Sequence, residues 1–209
     1  MVNPDGDTKA VAAGDARDGD ALAVMARRRS VGRLRPPGPD DGELRAILAA
    51  AACAPDHEEL RPWRLVVLQG QAKDDFGQVL AGALVARVRA AGGEPTTGQV
   101  DKERGKLSRA PAVLVVAAVR HQHPKVPWVE QMASAAAAAY GALLAATALG
   151  YGSMWRTGDA AYDPAVKAAL GLSGDDAVVG FLYLGTLPEG LDPDPHRPDL
   201  DGLVHHWAP

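Results

Sequence analysis

Residues 149–158 read LGYGSMWRTG and connect a long helix to a short strand and then to a turn. The helix is predicted from Trp128 to Leu149, and Gly150 ends it because glycine tolerates the backbone angles found at helix C-termini. The strand is predicted over Gly152–Arg156. Gly158 follows it and allows a turn with exposed amide groups. A turn at this position can contact a ligand, although a purely structural turn accounts for the same residues.

The other elements follow from apolar residues repeated at helical or strand spacing. Helices and strands alternate irregularly, which favours an α+β fold over a doubly wound one. Nearly continuous valines in Ala112–Val119 indicate a strand that is buried on both faces. The predicted helices are Ala21–Arg29, a helix from Asp40 or Asp41 to Ala51, Phe76–Val88, a short exposed helix over Gln99–Arg109 and a helix that begins at Asp163–Pro164; the other predicted strands are Trp63–Gln69 and Ala177–Gly185.

Length and composition predict one domain over residues 20–209, after a flexible tail rich in Gly and Asp at residues 1–19. The formal net charge of −4 gives no general attraction to nucleic acid or anionic lipid. The longest apolar run, Ala133–Leu149, falls short of the roughly 18 residues of a membrane span and indicates a buried or interface helix. We therefore expect neither a nucleic acid nor a membrane as a partner.

The cysteine, histidine and glycine patterns argue against several kinds of site. One cysteine, Cys53, excludes an intramolecular disulfide, fits a reducing cytoplasmic location and is expected to be a small packing residue. His121 and His123 lack the spacing of a zinc site, as do the adjacent His205 and His206, so no metal is expected. No GxGxxG, GxxxxGK[ST] or GxSxG motif supports a nucleotide-binding loop or a hydrolase.

The first candidate site is the cluster Arg28-Arg29-Ser30, which lies where a predicted helix gives way to a loop. Two guanidinium groups and a hydroxyl can bind a phosphate through charge-assisted hydrogen bonds. Arginines at a helix C-terminus also complement the helix dipole, so a structural role is an open alternative.

A second candidate is the Pro-bounded loop that contains Ala54–His57 and leads through Arg61-Pro62-Trp63 into a buried strand. Two prolines stiffen this loop and could hold polar groups against a planar ligand. A lone histidine is more often structural, so His57 has both interpretations. The segment Gly180–Gly185, in contrast, is explained as a core strand.

The last segment, residues 186–209, contains five prolines and little periodicity. Its apolar residues Leu200, Leu203, Val204 and Trp207 nevertheless need a surface against which to pack. We interpret the segment as an arm that packs against a second subunit.

In their order and spacing, these segments resemble the bacterial nitroreductase family over about residues 22–207. The resemblance rests on Arg28-Arg29-Ser30, Ala54-Pro55-Asp56-His57 with Pro62-Trp63, Val129-Glu130-Gln131, residues 149–158 and Gly180–Gly185.

The resemblance implies an α+β fold in which helices flank a central antiparallel four-stranded sheet. It also implies an intertwined homodimer with an exchanged C-terminal arm and two FMN sites at the interface. Arg28 and Ser30, with Arg29 beside them, would bind the FMN phosphate, and Arg197 in the arm would join them. His57 would reach the FMN of the neighbouring subunit. The residues expected beside the flavin ring are Trp155, Arg156, Thr157 and Gly158.

Two positions depart from the family pattern. Arg61 stands where Gln or Asn commonly precedes Pro-Trp, which could alter flavin potential or substrate access. Gly32 replaces the basic residue often found two positions after the phosphate-binding serine, although Arg33 is adjacent.

The activity implied is hydride transfer from NAD(P)H through FMN to a small nitroaromatic or quinone-like acceptor, with ping-pong kinetics. Such chemistry belongs to the flavin and requires no acid or base from the protein. The alternatives are a specialised flavin reaction, such as dehalogenation, enoyl reduction or flavin breakdown, and a noncatalytic flavin-binding protein. The choice of acceptor, and of NADH or NADPH, stays open at this point.

Overall fold

A computed structural model describes residues 21–191 and 199–208 of the chain, so the N-terminal tail and Arg197 lie outside the described residues. Its centre is a four-stranded antiparallel sheet in the order β1-β2-β4-β3. The strands are β1 (Trp63–Gln69), β2 (Ala112–Ala118), β3 (Gly152–Arg156) and β4 (Ala177–Gly185). The helices are α1 (Ala21–Arg27), α2 (Asp41–Ala52), α3 (Gly70–Ala90), α4 (Thr97–Arg104), α5 (Trp128–Ala148) and α6 (Pro164–Ala169). This architecture confirms the predicted α+β fold.

Strand β2 separates two hydrophobic cores, because successive side chains of a strand point to opposite faces. Val113 and Val115 face the core that contains α3 and α6, whereas Leu114 and Val116 face the core that contains α2 and α5. All seven residues of β2 are buried, which confirms the prediction from its valines.

The alanine run of α5 packs against α2 of the same chain. Ala135, Ala138 and Ala142 are fully buried, and their small side chains let the two helices approach closely. At Gly141 a β-carbon would lie only 3.0 Å from the Ala50 carbonyl oxygen. The helix is therefore buried in its own subunit along this face.

Local signals account for most of the helix ends. The side chain of Asp40 accepts a hydrogen bond from the Glu43 N–H at 2.8 Å, and the Glu43 side chain accepts one from the Asp40 N–H at 2.9 Å, which forms a capping box. Asp163 caps α6 in a similar way. The predicted element boundaries were wrong by a few residues elsewhere: α1 stops at Arg27, and α3 begins at Gly70.

Two expectations about burial were wrong. The helix predicted as exposed over residues 99–109 is instead α4 followed by a 3₁₀ turn, Gly105–Arg109, in which Leu107 is only 2% exposed. The turn is anchored because it packs under α3. Cys53 is exposed rather than a packing residue, since it follows the end of α2 and points away from the core.

The apolar residues in the described last part of the C-terminal segment, residues 199–208, are exposed. Trp207 is 85% exposed, and Leu200, Leu203 and Val204 are also exposed. Within the two described ranges, no helix has the length and apolarity needed to cross a bilayer.

Candidate functional site

The edge strand β3 brings two of the candidate segments together. Ser30 forms a parallel bridge with Ser153, and the Val31 N–H donates to the Ser153 carbonyl oxygen at 2.9 Å. The Arg28–Ser30 cluster therefore lies beside the strand that ends in Trp155-Arg156, although the two are far apart in sequence.

The arginines of the cluster have different surroundings. Arg29 donates from Nη1 to the carbonyl oxygens of Ala26 and Arg28, at 3.1 and 2.9 Å, and so caps the end of α1. No carboxylate of the described residues pairs with Arg28, and Ser30 beside it is exposed. Arg28 and Ser30 therefore present a cation and a hydroxyl to solvent at the edge of the sheet.

Trp155 and Arg156 point to opposite faces of the sheet. The Trp155 ring packs against Gly180, and its Nε1–H donates to the Val179 carbonyl oxygen at 3.1 Å. Arg156 lies on the other face, where it lines a small cavity with Thr157 and Tyr183.

Two buried polar atoms at this strand have no hydrogen-bond partner among the described residues, namely the Nε of Arg156 and the Oγ of Ser153. Leaving such groups unpaired typically costs about 1–3 kcal/mol, so they are expected to have a partner that the chain itself does not provide. The two atoms lie on opposite faces of the sheet, because Ser153 shares the face of Trp155. The Nε of Arg156 therefore marks its own side of β3 as a candidate binding site for a polar ligand.

The turn after β3 exposes backbone donors beside Arg156. Gly158 has φ +78°, and a β-carbon there would meet nothing within 4 Å. Within the described part of the chain, neither the Thr157 N–H nor the Gly158 N–H donates a hydrogen bond. These two amides belong to exposed residues that directly follow Arg156 in the chain.

Lys106 is a site residue that sequence reasoning missed. It lines the same small cavity as Arg156 and Thr157 and pairs with Glu103, Nζ to Oε1, at 2.7 Å. Only its position in a charged stretch could have drawn attention to it, because the 3₁₀ turn that directs it inward depends on packing under α3.

Tyr183 also lines this cavity. Burial raises the pKa of its hydroxyl to about 12, although the nearby Arg156 and Arg109 act in the opposite direction. The hydroxyl lies 3.3 Å from the Lys106 carbonyl oxygen. Tyr183 therefore stays neutral at physiological pH and acts as a hydrogen-bond donor rather than a base.

His57 lies at the opposite edge of the sheet, because its loop leads into β1. Strands β1 and β3 are three strand spacings apart, or about 14 Å. Within one chain His57 is therefore not brought to the Ser30–Arg156 region.

The His57 loop is held in a strained conformation. Glu58, Glu59 and Arg61 have positive φ angles of 62°, 53° and 48°, which are uncommon for residues other than glycine. The Arg61 N–H donates to Asp56 Oδ2 at 2.5 Å, and His57 Nδ1 lies 2.8 Å from Glu130 Oε2. Strain of this kind is typical of functional segments.

A family model described as the nitroreductase family matches residues 25–186, which include every element from the end of α1 to β4. The chain belongs to the nitroreductase family. The resemblance in the sequence motifs is thereby confirmed.

The chain is 39% identical over 167 residues to "Putative NAD(P)H nitroreductase YdjA" of Escherichia coli (strain K12), covering 80% of this chain and 88% of that protein. Its fold is similar to a nitroreductase-like family protein from Bacillus cereus, with a TM-score of 0.71, 23% identity and coverage of 90% and 95%. It is also similar to a nitroreductase with bound FMN from Bacteroides fragilis, with a TM-score of 0.67, 24% identity and coverage of 90% and 99%.

Gly32, one of the two positions that depart from the family pattern, lies next to Arg156. A β-carbon at Gly32 would lie 3.7 Å from Nη2 of Arg156. The guanidinium group of Arg156 thus occupies the space beside position 32, where the family pattern leads one to expect a basic side chain.

Proposed function

We propose that this chain is an FMN-dependent oxidoreductase that takes hydride from NAD(P)H and passes it to a small nitroaromatic or quinone-like acceptor. Residues 20–209 form one FMN-binding domain in this proposal, and two chains form a cytoplasmic homodimer. The proposal rests on family membership and on one observation, the bridge between Ser30 and Ser153 that joins a phosphate-binding cluster to a donor-rich turn.

The chemistry of the site fits FMN. The buried Nε of Arg156 has no partner among the described residues, and a polar atom of a flavin ring or ribityl chain can supply one. The backbone N–H groups of Thr157 and Gly158 can donate hydrogen bonds to acceptor atoms at the edge of the flavin ring. FMN, when bound, supplies the hydride chemistry, whereas the protein binds and orients the reactants.

Each predicted contact has a role in this proposal. Arg28 and Ser30 bind the phosphate, with Arg29 and the arm residue Arg197 nearby. Trp155, Arg156, Thr157 and Gly158 lie along the ring, and Lys106 adds a second cation beside Arg156. Positive charge at this edge favours the binding of a ring that gains negative charge.

The partner subunit supplies the remaining contact. His57 lies on the far edge of its own sheet, so it reaches a flavin only across a dimer interface. Glu130 holds its Nδ1 and leaves Nε2 free to face the ligand. The exposed arm residues, with Trp207 as the largest, provide apolar surface for such an interface.

Donor and acceptor use the same exposed ring face in turn, which gives ping-pong kinetics. The protein contributes no acid or base to this scheme, and Tyr183, whose hydroxyl stays neutral, is not required as one.

The first experiment is an absorption spectrum of the purified protein, in which bound FMN gives bands in the near ultraviolet and the blue. The spectrum should be repeated after apoprotein is mixed with FMN and freed of unbound flavin. Protein that stays colourless under both conditions would falsify the proposal.

The second experiment measures NADH and NADPH oxidation with nitrofurazone or menadione as acceptor, under anaerobic conditions. Turnover with parallel lines in double-reciprocal plots supports the ping-pong scheme. A yellow protein that neither donor reduces within minutes is a noncatalytic flavin-binding protein. Reduction by a donor without transfer to either acceptor points to a specialised flavin reaction.

A further inference from the structure

A cleft of about 460 Å³ lies next to the candidate flavin site and has no role in the function proposed above. Three of its lining residues are arginines, namely Arg33, Arg35 and Arg109. Leu34, Pro36, Ser108 and Pro188 complete the lining. The volume falls within the range of about 300–1,000 Å³ that is typical of small-molecule sites.

Among the described residues, no carboxylate pairs with the arginines of the cleft. Across residues 21–191 and 199–208, none of the three guanidinium groups has a carboxylate within 4.0 Å or donates a hydrogen bond. The nearby Glu103 is already paired with Lys106. Three like charges that converge on one cleft repel each other, and a bound anion relieves this repulsion.

The backbone holds the cleft in place without help from the arginine side chains. The Leu34 N–H donates to the Arg109 carbonyl oxygen at 2.7 Å, and Arg35 and Thr186 exchange two backbone hydrogen bonds of 2.8 Å each. Leu34 is also buried in the core. The guanidinium groups are therefore presented from a fixed framework, which lowers the entropic cost of binding a ligand.

Two short segments of the chain connect the cleft to the candidate flavin site. Arg109 and Lys106 belong to the same 3₁₀ turn, in which three residues advance the chain by about 6 Å. Arg33 directly follows Gly32, which lies against Arg156. A ligand whose reactive ring stacks on a flavin bound along Arg156 can thus extend its distal groups toward the cleft.

We infer that the cleft lined by Arg33, Arg35 and Arg109 binds the phosphate groups of the nicotinamide donor. This inference rests on the proposed function, because it concerns how the donor of that reaction is recognised. Arginine is suited to the task, since its planar guanidinium binds phosphate oxygens in a bidentate way. Both donors carry a pyrophosphate, and NADPH carries a 2′-phosphate in addition.

The experiment uses the FMN-loaded full-length protein and four variants: Arg33→Gln, Arg35→Gln, Arg109→Gln and the triple variant. Glutamine keeps much of the side-chain length and removes the charge. KM and kcat are measured for NADH and NADPH, and the dissociation constant of FMN is measured in parallel. The control is Lys102→Gln, which removes an exposed positive charge from α4 outside the cleft.

Replacing an arginine that contacts a phosphate should raise the KM of the donor about tenfold, with kcat and FMN affinity unchanged. A rise in KM for NADPH alone assigns the cleft to the 2′-phosphate. A rise for both donors assigns it to the pyrophosphate. The inference is wrong if the triple variant leaves both KM values unchanged, or if it weakens FMN binding, since the cleft then belongs to the flavin phosphate.

Direct binding separates this inference from the proposed function. Adenosine 2′,5′-bisphosphate and adenosine 5′-diphosphate serve as probes of the two phosphate positions, and calorimetry measures their binding to the holoprotein. If the probes bind only when the arginines are present, the inference about the cleft is supported. If, in addition, neither donor reduces the bound flavin, the proposed redox function is refuted while the cleft inference stands. If turnover does not depend on the arginines and neither probe binds, the inference about the cleft is refuted and the proposed function stands.

Discussion

Arg28 and Ser30 lie at the end of α1 and face solvent beside β3, where Ser153 fixes the position of the segment. The neighbouring Arg29 has a different task, since its guanidinium closes the end of the helix. The helix-capping interpretation of this cluster therefore applies to Arg29, and the phosphate-binding interpretation is left for Arg28. Its function in binding FMN stays a prediction that single substitutions can test.

We expect Arg28→Gln to raise the dissociation constant of FMN about 10- to 100-fold, because one charge-assisted hydrogen bond to phosphate is lost. Titration of the apoprotein with FMN, followed by flavin fluorescence, measures the effect. Lys102→Gln serves as the control and should bind FMN as the unmodified protein does. Equal affinities for the two variants would exclude Arg28 from the phosphate site.

Asp163 is the residue whose charge contributes most clearly to folding. Burial by itself raises the pKa of this carboxyl, but the Arg87 guanidinium at 2.5 Å and the N–H groups of Ala165 and Val166 outweigh burial and lower the pKa below 3.8. Because the folded pKa is lower than the unfolded one, the ionised group stabilises the protein well above pH 3.8. This stabilisation is lost as the pH falls toward the lower folded pKa.

We expect Asp163→Ala to reduce the free energy of unfolding by about 2–3 kcal/mol at pH 7, since it removes a helix cap and an ion pair. At pH 3 the difference from the unmodified protein should be smaller. Urea unfolding at the two pH values measures both numbers. Glu94→Ala, which removes the exposed pair with Arg89, should cost less than about 1 kcal/mol at either pH. A loss for Asp163→Ala that is the same at both pH values would contradict this account.

At the scale of the elements, the pairing of β3 with β4 determines where the Trp155–Gly158 segment lies. Trp155 is opposite Leu182 in the register, and its ring covers Gly180 on the neighbouring strand. Only a glycine fits there, because a β-carbon would overlap the Trp155 Nε1 atom. The glycine in the core strand therefore has a specific purpose, namely to seat the tryptophan that precedes Arg156.

We expect Gly180→Ala to destabilise the fold by about 1–3 kcal/mol, as overpacked cores do, and to displace the Trp155 ring. Tryptophan fluorescence and thermal unfolding measure the two effects. Gly174→Ala is the matched control, since a β-carbon there would meet nothing within 4 Å. An alanine at position 180 that leaves both the fluorescence and the unfolding temperature unchanged would show that the ring is not tightly seated.

For the whole molecule, the question is how His57 and the Ser30–Arg156 region can serve one ligand. They lie at opposite edges of one sheet, so a single chain cannot bring them together. In the proposed dimer the edges of two sheets would meet, and the exposed residues Leu203 and Trp207 would supply part of the apolar interface.

We expect the protein to sediment at twice the mass of its 21.7 kDa chain. The double variant Leu203→Ser with Trp207→Ser should shift the equilibrium toward the monomer and weaken FMN binding, because apolar burial of about 25 cal/mol per Å² is lost at the interface. Analytical ultracentrifugation and flavin titration measure both. Leu22→Ser, at an exposed apolar position of α1, is a comparison outside the arm. A double variant that remains dimeric would show that the arm is not part of the interface.

Local sequence patterns were sufficient to predict the elements and their order: the four strands, the helix caps at Asp40 and Asp163, and the motifs that identify the family. These features follow from residues close together in the chain, through side-chain periodicity, capping and glycine at turns. Only the tertiary structure decided which of them meet. The contact of Ser30 with Ser153, the inward position of Lys106 and the convergence of Arg33, Arg35 and Arg109 depend on pairing between distant segments. The exposure of Cys53 and the burial of Leu107 depend in the same way on packing around them. The physical reason is that hydrogen bonding and packing between remote elements select positions that no local pattern encodes.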